Sequence, residues 1–128
     1  RFLPGSRISA CELKQALIAE GCEISKSKIV HSIIGLRSHI GEGTEIRDTI
    51  VMGADWYGTL RNGAPIGIGR NCKIEGAIID KNASIGDNVV IKAFPDATVL
   101  DGDYHYVRDG IVIIPKHTVI PAGTIIQP

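Results

Sequence analysis

The sequence predicts an all-β protein, a parallel β-helix built from hexapeptide repeats and broken by two loop insertions. Three observations predict it. Aliphatic residues recur at steps of mostly six and occasionally five: Ile18, Ile24, Ile29, Ile34, Ile40, Ile46, Val51, then Ile68, Ile74, Ile79, Ile85, Ile91, then Ile114, Ile120, Ile126. Between them sit Gly21, Gly35, Gly41, Gly43, Asn71, Asn82, Gly86, Asn88 and Gly123, residue types that accept tight corners and positive φ. Aromatic residues are only 5% of the chain, as suits a narrow prism filled by layers of Ile and Val.

The step length decides against the common alternatives. An amphipathic helix repeats near 3.6 residues and a hairpin strand alternates in twos, so neither yields a run of sixes. A short strand and a corner, repeated, does. β-Branched side chains at the pulse point inward and pack well on a pleated surface. Three hexads make a coil of about 18 residues, and coils stack at roughly 4.8 Å. Ile29 and Val51, each at a five-residue step, read as corners shortened by one residue.

Taken in order, residues 1–7 (RFLPGSR) read as the end of an interdomain linker and residues 8–128 as the β-helix. Between Glu12 and Glu20, Leu13, Ala16 and Leu17 would also suit a turn of helix. Ile8, Leu13, Ile18 and Ile24 continue the pulse, which favours strand. The repeat lapses twice, from Gly53 to Pro65 and from Lys92 to Gly110. These stretches carry the single Trp, all three Tyr and one of the two Phe. Insertions in solenoids form loops on one face, often the binding face; the plainer reading is surface loops packed by their own aromatics. A first coil exposes unpaired backbone unless something covers it. With an opening that lacks an initiator Met, this suggests a fragment preceded by a partner domain.

Composition narrows the function. A chain of 128 residues with 44% hydrophobic content fits one domain with a real core. Fourteen basic and 14 acidic residues cancel, so neither nucleic acid nor a membrane surface is indicated as a partner. No stretch approaches the apolar length of a membrane span. Cys11, Cys22 and Cys72 lack metal-ligand spacing and read as reduced thiols, with Cys22 and Cys72 structural because each just precedes a pulse.

The runs RFLP, HSIIGLRSHIGEGTEIRDTIVMGADWY, PIGIGRNCKIEGAIIDKNASIGDNVVI and DGIVIIPKHTVIPAGTII, ordered along nearly the whole chain, are specific. Together they resemble the C-terminal domain of ADP-glucose pyrophosphorylases (glucose-1-phosphate adenylyltransferases), most closely the cyanobacterial and plant branch. The resemblance implies a left-handed β-helix, against the usual right-handed crossover, joined to an N-terminal nucleotidyltransferase domain. It implies an enzyme that makes ADP-glucose and pyrophosphate from ATP and glucose 1-phosphate for glycogen or starch synthesis. It further implies Mg²⁺ in that catalytic domain, no cofactor in this one, a homo- or heterotetramer, and a cytoplasmic location (plastid in a plant). The short glycine runs PIGIG and GEG sit inside the repeat and do not form a phosphate loop. This chain by itself is therefore expected to be non-catalytic, serving regulation and assembly.

In that family phosphorylated metabolites act as effectors, and the resemblance places two effector-site lysines at Lys81, in AIIDKNA, and Lys116, in GIVIIPK. The stretch between them is shorter than in the plant and cyanobacterial pattern, and Pro115 stands where that pattern has an aliphatic residue. Periodicity adds an independent point, since each lysine follows its isoleucine (Ile79, Ile114) by two residues. If the second insertion returns in phase, Ile114 lies over Ile79 and the ammonium groups sit about 5 Å apart. Such a pair calls for an anion and reads as a phosphate clamp. The plainer reading is two solvated corner lysines. Arg108, His105, Arg37 and Arg70 are secondary anion-ligand candidates.

Other classes share the fold. A hexapeptide acyltransferase would use a histidine base, for which His31, His39, His105 or His117 stand available, and would bind acyl-CoA. A γ-type carbonic anhydrase needs three histidines on zinc, and His31 and His39 find no suitable third. A purely structural assembly module would bind no effector.

Overall fold

A computed structural model describes residues 3–128; Arg1 and Phe2, the start of the RFLP segment, lie outside them. Among the described residues all regular structure is strand. The first coil holds β1 (Arg7–Ser9) and β2 (Glu12–Ile18), and the second β3 (Glu23–Ser25) and β4 (Lys28–Ile34). The third holds β5 (His39–Ile40), β6 (Glu45–Arg47) and β7 (Ile50–Val51). The fourth holds β8 (Gly67–Ile68), β9 (Lys73–Glu75) and β10 (Ala77–Ile79). The fifth opens with β11 (Ser84–Ile85) and β12 (Val90–Ile91), is interrupted by β13 (Leu100–Asp101) and β14 (Tyr106–Arg108), and closes with β15 (Ile111–Ile114). A last partial coil holds β16 (Val119–Ile120) and β17 (Ile125–Ile126).

Three parallel faces result. On the first, Ile8, Ile24, Ile40, Ile68, Ile85 and Ile120 stand in register. On the second the column is Leu13, Ile29, Ile46, Ile74, Ile91 and Ile126. On the third it is Ile18, Ile34, Val51, Ile79 and Ile114. β2 and β4 are long enough to run through the corner between the second and third faces, so each supplies both. From Ile24 to Ile126 every member of these columns is buried, and together they form the core.

The register corrects the coil length. Ile68 lies under Ile85 and Ile74 under Ile91, steps of seventeen residues where eighteen were expected, and Ile8 to Ile24 takes sixteen. Five-residue sides are thus a regular part of the winding. Ile29 and Val51 are full members of the core.

The corners explain the small polar residues. Ser27, Thr44 and Cys72 each sit two residues before a second-face isoleucine and turn inward to the next coil. The Ser27 hydroxyl donates to the Gly41 carbonyl at 3.0 Å, the Thr44 hydroxyl to Gly69 at 2.7 Å, and the Cys72 thiol to Gly86 at 3.1 Å. Cys22 plays the same part at another corner, against Gly35 at 3.2 Å. All three cysteines are free thiols. Burial pushes the Cys72 thiol up, as a structural role requires. Outside, Glu12, Lys28, Glu45 and Lys73 alternate in charge along one ladder, with Lys28 and Glu12 at 3.5 Å.

The second insertion is more than a loop. β13, β14 and β15 form an antiparallel run that prolongs the third face beyond the last coil, with Val107 opposite Val112 and both fully buried. The chain then rejoins the prism in phase, Ile114 directly on Ile79.

Candidate functional site

The corner after the third face carries the candidate lysines. There the N–H of each corner residue donates to a carbonyl one coil back: Arg37 to Glu20, Ala54 to Leu36, Asn82 to Gly53, His117 to Lys81. Arg37, Asn82 and His117 adopt positive φ (58°, 61° and 64°), the left-handed conformation this corner demands. Lys116 therefore stands one coil beyond Lys81, as the hexad phase predicts, at a strand spacing of about 4.8 Å.

The first insertion leaves the prism at this same corner, immediately after Ala54. It lies along the ridge. The Asp55 N–H donates to the Asn82 side-chain oxygen at 2.8 Å, and Asn82 Nδ2 donates to Asp55 Oδ2 at 3.1 Å. Lys81 Nζ donates to Asp55 Oδ1 at 3.2 Å. The Trp56 ring lies 6.2 Å from that of His117, further up the column. In the other direction the Tyr57 hydroxyl donates to the Gly21 carbonyl at 3.0 Å. One short segment thus spans the corner column from the second coil to the last.

Asn82 organises the site. It is 1% exposed, and its amide serves both Asp55 Oδ2 and His117 Nε2, the latter at 3.2 Å. With the amide donating, Nε2 of His117 accepts. The Asn82 amide first, then Lys81, hold the Asp55 carboxyl below its ordinary value against partial desolvation, and the charge of Lys116 acts in the same direction. Asp55 thus stands beside Lys81 as a counter-charge supplied by the chain itself. Beside this cluster Trp56, Leu60, Arg61, Asn62 and His117 line an open groove of about 410 Å³.

The secondary candidates are each engaged in contacts of their own. Arg108 is tied into the β13–β14 hairpin: it pairs with Asp101 at 2.9 Å, donates to the Leu100 and Val107 carbonyls, and lies over the Tyr106 ring. His105 sits in that hairpin with Nδ1 buried and without a partner, and burial lowers its pKa toward the neutral form. Tyr106 stands opposite Ile113, so the hairpin runs alongside the strand that leads to Lys116. Arg37 shares the corner column, but its guanidinium donates to the Ala54 carbonyl at 3.0 Å, fastening the start of the insertion. Arg70 lies at another corner, its backbone N–H held by Asp87 at 2.8 Å. Sequence reading missed Asp55 and Asn82, although MGAD and IIDKNA contain them. The available signal was that the repeat breaks at MGAD, at the hexad position that recurs at IIDKN.

Among the described residues no group of three or more His, Cys, Asp or Glu side chains is arranged to hold a metal ion. His31 pairs with Asp48 at 2.7 Å across a corner where both adopt positive φ. Among the described residues no helix is long and apolar enough to cross a membrane.

A family model described as the GLGC left-handed parallel β-helix domain matches residues 1–125. The chain belongs to this family. Its strands therefore wind left-handed, in agreement with the resemblance carried by the quoted motifs. This chain is 43% identical, over 136 aligned residues, to the chloroplastic/amyloplastic small subunit of glucose-1-phosphate adenylyltransferase from Triticum aestivum. The alignment takes in 98% of the chain and 29% of that relative, so this GLGC domain spans under a third of the length of the enzyme it matches.

Proposed function

We propose that residues 8–128 form the regulatory and assembly domain of a glucose-1-phosphate adenylyltransferase, with residues 1–7 closing a linker from an N-terminal nucleotidyltransferase domain. The parent enzyme makes ADP-glucose and pyrophosphate from ATP and glucose 1-phosphate, feeding glycogen or starch synthesis. Its Mg²⁺ and reacting groups belong to the catalytic domain, and this chain contributes no step of the chemistry. The enzyme is a tetramer and works in the cytoplasm, or in the plastid of a plant.

Regulation is assigned to the corner that holds Lys81 and Lys116. The observation that carries the reading is their stacking one coil apart, Ile114 in register with Ile79, beside an open groove. Two lysines whose backbones stand one strand apart can both reach one phosphate through charge-assisted hydrogen bonds of about 2.8 Å. A phosphorylated metabolite is the effector.

Assembly is assigned to the outer side of the third face. Leu17, Ile33, Ile50, Ile78 and Ile113 form an unbroken register of outward aliphatic residues, with Leu17 69% and Ile33 46% exposed. A contiguous apolar column of this kind supports contact with the rest of the enzyme.

The test is Lys81→Ala and Lys116→Ala in the full-length enzyme, with ADP-glucose synthesis followed against 3-phosphoglycerate. The expected result is an increase of about tenfold or more in the activator concentration for half-maximal effect, equivalent to about 1.4 kcal/mol. Unchanged dependence in both variants overturns the assignment.

A further inference from the structure

The lysine corner is built with its own anion. We propose that Asp55 sets the affinity and charge selectivity of this site by occupying, in the free protein, the place beside Lys81 that an incoming phosphate group must take. The proposal rests on the reading of Lys81 and Lys116 as an anion site and adds a residue that this reading does not require.

Asp55 is the first residue after the corner residue Ala54, and it reaches across to the next coil. Its carboxylate meets Lys81 Nζ at 3.2 Å through one oxygen and Asn82 Nδ2 at 3.1 Å through the other. A phosphate seeking the same ammonium needs the same donor directions. The Asp55 and Lys81 side chains are each about half exposed, so the ion pair is reachable from solvent and can be exchanged. It is not locked in place by burial. The segment is also pinned separately: the Asp55 N–H bonds Asn82 Oδ1, Trp56 lies against His117, and Tyr57 holds Gly21. Removing the charge therefore leaves the course of the loop intact.

Charge bookkeeping gives the selectivity. Of the two lysine charges, Asp55 balances the one on Lys81. The built-in carboxylate discourages weakly charged anions, which cannot compete with it. A doubly charged phosphate competes best. Displacement turns the Asp55 carboxylate away from Lys81 while the backbone of the insertion keeps its own anchors.

Inorganic phosphate is the probe, titrated calorimetrically into the full-length protein and its variants. In Asp55→Asn, which keeps the size and an acceptor for Asn82, phosphate is expected to bind about fivefold tighter, the effect of removing one charge near 4 Å in a solvated site. Lys81→Ala and Lys116→Ala are expected to weaken it. Weaker phosphate binding by both lysine variants with Asp55→Asn equal to the parent overturns the role of Asp55 and leaves the anion site standing. Phosphate binding indifferent to both lysines overturns the anion site itself and this proposal with it. A second measurement needs no substitution: the side-chain carboxyl ¹³C resonance of Asp55 should shift when phosphate saturates the parent protein. An unmoved resonance contradicts displacement of Asp55.

Discussion

Ile114 lies directly on Ile79, one coil away, although an antiparallel hairpin intervenes between them in the chain. That one pairing brings Lys116 over Lys81 and His117 over Asn82. A return shifted by a single residue would turn every later side chain to the wrong face and separate the two lysines.

Core and surface positions of the same repeat should respond very differently to truncation. Ile74 is 2% exposed in the middle of the second-face column, and Ile74→Ala should cost about 3 kcal/mol by urea unfolding. Ile33→Ala, on the outward column of the third face, should cost less than about 1 kcal/mol when this chain is unfolded by itself. Equal losses would mean that the two columns are not inside and outside.

Glycines at the corners are predicted to differ by what the next coil leaves free. A Cβ on Gly35 would run into the Met52 carbonyl, which is backbone and cannot swing aside, whereas a Cβ on Gly5 meets nothing within 4 Å. Gly35→Ala should destabilise by about 2 kcal/mol or more, and Gly5→Ala should change stability by less than about 0.5 kcal/mol. Thermal unfolding of the two variants side by side makes the comparison.

How much of this was legible in the sequence follows from where the information lies. Ile24 through Ile126 mark the three faces because the core requirement repeats locally and leaves its imprint on every turn. Strand rather than helix over Glu12–Ile18 was readable for the same reason. The seventeen-residue coil was not, since whether a corner takes five or six residues depends on the backbone of the coil beside it. Non-glycine corners such as Gln15, Lys26, His31 and Asp48, all at positive φ, give no compositional signal. The β13–β14 hairpin was read as a loop because each strand is short and is fixed by its pairing with β15. Lys81 and Lys116 were named by the family resemblance, and hexad phase stacked one over the other. Asp55 was missed because its partner lies on the next coil and is reached from an insertion, where the repeat no longer predicts positions.

Thiol chemistry should follow burial. Cys22 and Cys72 are 2% and 0% exposed, each donating to a carbonyl of a neighbouring coil, while Cys11 is half-buried. Desolvation also keeps Cys72 protonated at neutral pH. An aromatic disulfide reagent should therefore modify at most Cys11 in the native chain and all three thiols after denaturation. Rapid native labelling of Cys72 would contradict its place in the corner column.

The contact between Asp55 and Lys81 carries a definite pH signature. Hydrogen bonds from Asn82 and Lys81 lower the Asp55 pKa in the folded state. A lowered carboxylate pKa stabilises the fold at pH values above the unfolded value of about 3.9, and that contribution is lost as pH falls through the lower folded value. At neutral pH the contact is fully formed. A carboxyl ¹³C titration of Asp55 should show its inflection below about 3.9, and an inflection at or above that value would mean the contacts are absent in solution.

The most direct test of the account is a structure of the full-length enzyme crystallised with its phosphorylated activator. The account predicts a phosphate within hydrogen-bonding distance of both Lys81 Nζ and Lys116 Nζ, with the Asp55 carboxylate turned away from Lys81. A phosphate bound elsewhere, with Lys81 still paired to Asp55, would contradict it.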